Sequence, residues 1–230
     1  MATKARRTPR RTDALSRELI VETATQILDA DGEDALTLRA LTGRLSTGYG
    51  ALYHHVANKG DLLAAAADDV IARAMTDVAT DAEPRETLRA LALSLFDAIN
   101  AHPWIGAQLS QGPWQPALLE IYESIGEQLQ ALHIPEQALF DSAGALMNYI
   151  LGVAGQNAAN ARVRADKGVD RTAALAAVAA QWARLDPARY PRLHKAAARL
   201  GEHDDRRQFL AGIDLFLAGI ETVHGQGEDD

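Results

Sequence analysis

Residues 37–59, TLRALTGRLSTGYGALYHHVANK, constrain this chain more than any other stretch. Thr37 is a natural helix N-cap. Leu38, Leu41 and Leu45 follow at helical spacing, so a short helix is expected from about Leu38 to Arg44. Ser46-Thr47-Gly48 makes a tight turn, because hydroxyls and glycine both favour turns. A second helix is expected from about Tyr49 to His55, with only Leu52 and Val56 turned inward. Its outward face carries Gly50, Ala51, two tyrosines and two histidines where a core helix would carry leucines. Gly50 and Ala51 keep that face low enough for the edge of another molecule to come close.

The flanks support a small helical unit. Ser16 can cap a helix running to about Asp31, with Ile20, Ala24, Ile27 and Leu28 on one face and Gly32 as its stop. Asn58-Lys59-Gly60 opens a longer helix, roughly Asp61 to Ala79, with Leu62, Leu63, Ala66, Val70 and Ala74 inward. Before all of these lies a basic arm, residues 1–15, with five Lys or Arg ahead of its first acid, Asp13. It reads either as a solubilising tail or as an arm laid on phosphates or in a minor groove.

The net charge of −8 by itself argues against a polyanionic partner. Its distribution argues the other way. Residues 1–60 carry nine basic side chains against seven acids, and residues 61–230 carry fourteen against twenty-four, so only the N-terminal end suits a polyanion. The chain has no cysteine, which removes disulfides and thiolate metal sites and points to a reducing cytoplasm. The longest alanine-rich runs fall far short of the roughly 20 apolar residues of a membrane span, so no membrane is expected. Histidines and acids show no metal-ligand spacing, nucleophile elbow or phosphate loop; neither catalysis, a metal nor a cofactor is expected.

Beyond Pro84 the pattern stays helical, and strand signals are scarce, so the fold class is all-α. Amphipathic helices are expected over 85–102, near 105–109, and over 114–132, 136–165, 171–185 and 205–223. The 136–165 helix carries two apolar rows, Leu139-Ala143-Leu146-Ile150-Val153 and Phe140-Gly144-Met147-Leu151-Gly155, which places it inside a bundle or between subunits. Gly212 and Gly219 mark close packing on the last helix. The polar stretch around Pro187 and Pro191 has no assignment. Trp104, Gln108, Trp114, Tyr122, Met147, Asn148, Leu151 and Gln156 could line a ligand cavity, since aromatic walls with a few polar groups suit one. Asn148 leads them, because a buried amide among Leu146, Met147 and Ile150 must find a partner.

The run Ala35-Leu36-Thr37-Leu38-Arg39-Ala40-Leu41, then Leu45, then LYHHVANKGDLL over residues 52–63, resembles the tetracycline-repressor (TetR) family of transcriptional regulators, whose pattern there is LYxHFxxKxxLL. The likeness covers about residues 16–64; beyond it the chain resembles the family in helix order and in its closing helix. It implies a helix-turn-helix over about 37–56 within a DNA-binding domain 16–64, a connector helix to about 79, and a ligand-binding and dimerisation domain over 80–225. It also implies a homodimer formed through the helices near 136–165 and 205–223, a palindromic double-stranded operator, and a small-molecule effector. Matched position by position, Thr37 and Arg39 are phosphate contacts, and Tyr49, Gly50 and Ala51 begin the base-reading helix. Tyr53 packs and touches a phosphate, His54 lies beside it on the DNA side, and Lys59 meets a phosphate at the head of the next helix.

The turn departs from the family's usual Gly-Val-Ser/Thr, with Thr47 in the valine's place, so a shift of register in the reading helix has to be tested. No Arg, Asn or Gln stands on that face, so direct base readout is expected to be modest, resting on Tyr49, Ala51 and His54. The alternatives are a sequence-independent DNA-binding protein and a scaffold that has lost DNA binding.

Overall fold

The structure is a computed structural model that describes residues 15–76, 78, 82–109 and 115–224. Its described residues form helices and turns only, and they divide into two compact units, Met1–Ala66 and Ala67–Asp230. The basic arm expected over 1–15 lies, apart from Leu15, outside the described residues, and so does Trp114.

In the first unit, helix α1 spans Arg17–Asp31. Ser16 caps it by accepting from the Leu19 amide at 3.2 Å, and Gly32 ends it at φ 79°. A single 3₁₀ turn, Glu33–Ala35, leads to α2, Leu38–Leu45, and α3, Tyr49–Tyr53. Ile20, Ala24, Ile27, Leu36, Leu41, Leu52, Leu62 and Ala66 are all buried in this unit. Side chains of that size each contribute about 1.5–3 kcal/mol when fully buried, alanine less, so a small core suffices to hold three short helices.

Helix α3 stops two residues before the expected His55. Its end tightens, the His55 amide closing on the Leu52 carbonyl at 2.9 Å, and Asn58 opens the next helix: its Oδ1 accepts from the Asp61 amide at 2.9 Å and its Nδ2 donates to the Asp61 carboxylate at 3.0 Å. That side-chain pairing starts α4, Lys59–Thr76, two residues earlier than the apolar stripe suggested.

The second unit is a helical bundle. Helices α5, Pro84–Ala101, and α7, Pro116–Ala131, flank the long α8, Glu136–Asp166, with the short α6, Ile105–Leu109, packed on α8. Helix α11, Asp205–His224, packs on both α5 and α8. The three meet around aromatic rings: Phe96 stacks on Phe209 with centroids 4.6 Å apart, and Tyr149 stacks on Phe209 at 5.7 Å. Tyr149 also donates its hydroxyl to the Phe209 carbonyl at 3.1 Å. Gly212 packs closely as expected, because a Cβ there would run into the Tyr149 ring and hydroxyl. Gly219 differs: nothing of this chain lies within 4 Å of where its Cβ would be.

Between α8 and α11 run α9, Arg171–Ala183, and α10, Pro191–Ala197, followed by a 3₁₀ turn at Leu200–Glu202. The stretch without an assignment is a turn at Pro187 followed by a helix; Pro191 occupies the first turn of α10, where its missing N–H costs nothing. By length and composition α8 could cross a membrane, but it buries Ala143, Leu146, Ile150 and Ala154 as a core helix does.

Candidate nucleic-acid interface and effector cavity

Thr37 has extended backbone, and its Oγ1 accepts from the Ala40 amide at 3.1 Å. The cap uses a lone pair, so the hydroxyl proton stays available to a phosphate oxygen. Arg39 sits in the first turn of α2, exposed, with no ion pair or side-chain hydrogen bond among the described residues. Arg44, one turn further on, is committed to Asp31 at 3.0 Å. A phosphate is favoured beside Arg39 by its charge and by the unpaired first-turn amides of α2.

The turn keeps its register. Ser46 takes the left-handed conformation, φ 49° and ψ 44°, that a glycine would otherwise supply. The Thr47 amide closes back on the Thr42 carbonyl at 3.1 Å, with Thr47 half-buried. Gly48 is then ordinary extended backbone ahead of α3. The altered residues are absorbed locally, at a strain of about 1–2 kcal/mol for a side chain in that conformation.

Leu52 and Val56 anchor α3 inward. Tyr49 and Tyr53, four residues apart and so on one side, are 49% and 58% exposed. That corrects the packing half of Tyr53's expected role: its ring lies outside the core. Gly50 and His54 are exposed with them, Ala51 is half-buried, and a Cβ on Gly50 would meet nothing within 4 Å in this chain. Lys59 is exposed, but its Nζ donates to the Glu33 carbonyl at 2.7 Å, tying the head of α4 to the loop after α1. Two further N–H groups remain on that ammonium.

The residues expected around a ligand cavity differ in burial. Trp104 and Gln108 are buried, and Met147 and Leu151 are half-buried. The Tyr122 hydroxyl donates to the Phe140 carbonyl at 3.2 Å, and burial pushes its pKa up from the ordinary value. Asn148 is exposed: the helical repeat that buries Leu146 and Ile150 turns it outward, so its amide needs no internal partner. Gln115 donates Nε2 to the Gln108 carbonyl at 2.6 Å, yet Gln115 Oε1 and Gln108 Nε2 are buried without partners.

A cavity of about 590 Å³ opens elsewhere, among the second half of α8, α9 and the start of α11. Phe96, Val153, Leu175, Val178 and Trp182 supply its apolar wall, and Asn157, Asn160 and Arg164 its polar one. Of its lining, sequence reasoning reaches only Gln156, although Leu175, Val178 and Trp182 form a legible stripe on α9. A second space, a groove of about 440 Å³, lies between α8 and α11, lined by Ala145, Leu215, Phe216, Gly219, Ile220 and Val223. Leu215 and Val223 are more than two-thirds exposed there, as is Phe140 on α8.

Three short N-terminal helices carrying a helix-turn-helix, followed by an all-helical bundle with its own cavity, define a two-domain DNA-binding type of regulator fold. The model for the tetracyclin repressor-like C-terminal domain matches residues 80–224, more than half of the chain, and the chain belongs to the TetR family. It is similar to SCO7222, a TetR transcriptional regulator from Streptomyces coelicolor: 47% identical, covering 92% of this chain and all of that one, with a TM-score of 0.83. The Streptomyces coelicolor TetR family protein ActR in complex with actinorhodin is 25% identical, over 92% of this chain and 98% of that one, with a TM-score of 0.72. An HTH-type transcriptional regulator of Saccharopolyspora erythraea is 30% identical over 139 residues, 60% of this chain and 59% of that protein. The match thus spans less than two-thirds of this curated relative.

Proposed function

We propose that the chain is a ligand-responsive, DNA-binding transcriptional regulator: a cytoplasmic homodimeric repressor that a small molecule releases from a palindromic operator. The observation that carries this reading is the combination on one short element pair. Among the described residues Arg39 is an exposed cation without an ion pair at the head of α2, and Tyr49 and Tyr53 are large exposed rings on α3. Cation and phenol hydroxyls together suit a phosphate backbone and a base edge. The proposal assigns Thr37, Arg39, Tyr53 and Lys59 to phosphates and Thr47, Tyr49, Gly50, Ala51 and His54 to the groove. It assigns no catalytic step.

Dimerisation is proposed through α8 and α11, whose uncovered apolar groove a second copy would fill. Two copies place two reading helices on successive major grooves about 34–36 Å apart. The effector acts by binding better to an arrangement with the wrong spacing, so its differential affinity sets how far the equilibrium moves. ActR, whose structure is a complex with actinorhodin, supports an effector for this chain.

Selection of bound duplexes from a random DNA pool tests the reading. Enrichment of one inverted repeat is expected, bound about 10³-fold or more tighter than random DNA. Tyr49→Ala should lose most of that preference while keeping its affinity for random duplex. A pool that enriches nothing would leave only sequence-independent binding.

A further inference from the structure

We infer that the cavity beneath α9 is the effector site, and that it takes a planar aromatic molecule carrying one acidic group, a carboxylate or an ionised phenol. The inference rests on the reading that the C-terminal unit answers a small molecule, and it adds where and what kind.

At about 590 Å³ the space falls within the ordinary range for small-molecule pockets of roughly 300–1,000 Å³. Helix α9 roofs it in an unusual way. Leu175, Val178 and Trp182 face it at helical spacing, yet no residue of α9 is fully buried. An apolar stripe of that kind is normally covered by packed side chains. Here it overlooks space that Phe96 and Val153 also line. An occupant with a flat apolar body would cover Trp182 and that apolar lining.

The polar groups define the rest of the occupant. Arg171 is already used: its Nε donates to the Asp205 carboxylate at 3.0 Å and its guanidinium donates to the His203 carbonyl at 2.7 Å. His203 Nε2 lies 3.1 Å from the other Asp205 oxygen, so that carboxylate is used too. Arg164 remains, half-buried at the cavity wall, with no ion pair or side-chain hydrogen bond among the described residues. A partly desolvated cation without a counter-ion calls for an anion on the ligand, and the guanidinium fork favours a carboxylate. The amides add a direction. Asn100 donates Nδ2 to the Phe96 carbonyl at 2.7 Å, which leaves its Oδ1 to accept from Asn157 Nδ2 at 2.8 Å. Asn157 Oδ1 is therefore the free acceptor, and a hydroxyl on the ligand would meet it.

Two dyes test this on the full-length protein without DNA: anilinonaphthalene sulfonate, an aromatic anion, and phenylnaphthylamine, its neutral counterpart. Both should bind with energy transfer from tryptophan that falls sharply in Trp182→Phe. Arg164→Gln should weaken the anionic dye about tenfold or more and leave the neutral dye within about twofold. Val178→Trp, which fills the space, should weaken both, while Gln108→Leu should change neither. Equal affinities for the anionic dye in Arg164→Gln and the parent protein, or energy transfer undiminished in Trp182→Phe, would overturn the assignment. Because no DNA is present, such a failure leaves the operator reading standing; a failed duplex selection would likewise leave the cavity standing.

Discussion

The two units leave different things unpaired. In the C-terminal unit, Arg85 meets Glu221 at 2.7 Å, Arg89 meets Asp214, Arg171 meets Asp205 and Arg206 meets Asp97. What that unit leaves open is mainly apolar: Leu215 and Val223 beside the groove between α8 and α11, and Phe140 of α8 beside Tyr122. In the N-terminal unit the apolar residues are mostly spent on its small core, and what stays open is Arg39 with the rings of Tyr49 and Tyr53. Those pairs leave little for an ionic partner on that surface, with Arg164 at the cavity wall the exception, and an uncovered apolar row invites a protein one. A free cation beside phenols invites a polyanion. The contrast separates the proposed DNA face from the proposed dimer face better than net charge does.

The strongest way to break the contrast is to put charge on the apolar side. Phe140→Asp combined with Leu215→Asp should weaken a dimer by about 4 kcal/mol or more, roughly 10³-fold. Sedimentation should then find monomers, and tight operator binding should go with the dimer. Next comes the free cation. Arg39→Ala should lower affinity for every duplex about tenfold, and the slope of log affinity against log salt should become shallower by about 0.9. An unchanged slope would remove Arg39 from the phosphate frame.

Inside the bundle, Tyr149→Phe deletes the hydroxyl bond to the Phe209 carbonyl and should cost about 1 kcal/mol. Burial raises the Tyr149 pKa above its ordinary 10.0, so the folded state holds that proton more tightly than the unfolded one. The resulting stability is complete below pH 10.0 and is lost as pH rises through the folded value. Thermal melts from neutral to alkaline pH should show a decline that Tyr149→Phe softens. A smaller gain is expected at the turn: Ser46→Gly should relieve left-handed strain and raise stability by about 0.5–1 kcal/mol. Smallest of all, Arg206→Ala should change stability by about 0.5 kcal/mol or less, because its pair with Asp97 is half exposed on both sides.

Much of this was legible before any coordinates. Periodicity and caps fix α1, α2 and α11 to within a few residues, because capping hydroxyls and apolar stripes act within one or two turns of chain. Arg39 and Tyr49 could be singled out for the same local reason: no leucine stood where a core helix needs one. Asn148 shows the limit. Its apolar neighbours in sequence suggested burial, but a turn of about 100° per residue separates neighbours in sequence from neighbours in space. The cavity beneath α9 shows the other limit. It depends on Phe96, Asn157, Arg164 and Trp182 coming together from three helices, and on Asp205 having already taken Arg171.

The chain's helical class and the starts of its two short reading helices follow from sequence alone, since each rests on interactions a few residues long. Which arginines stay free, where the empty space lies and whether Ser46 can stand in for a glycine were decided only in the folded chain. Those outcomes depend on partners distant in sequence, or on backbone angles that a residue's own type does not set.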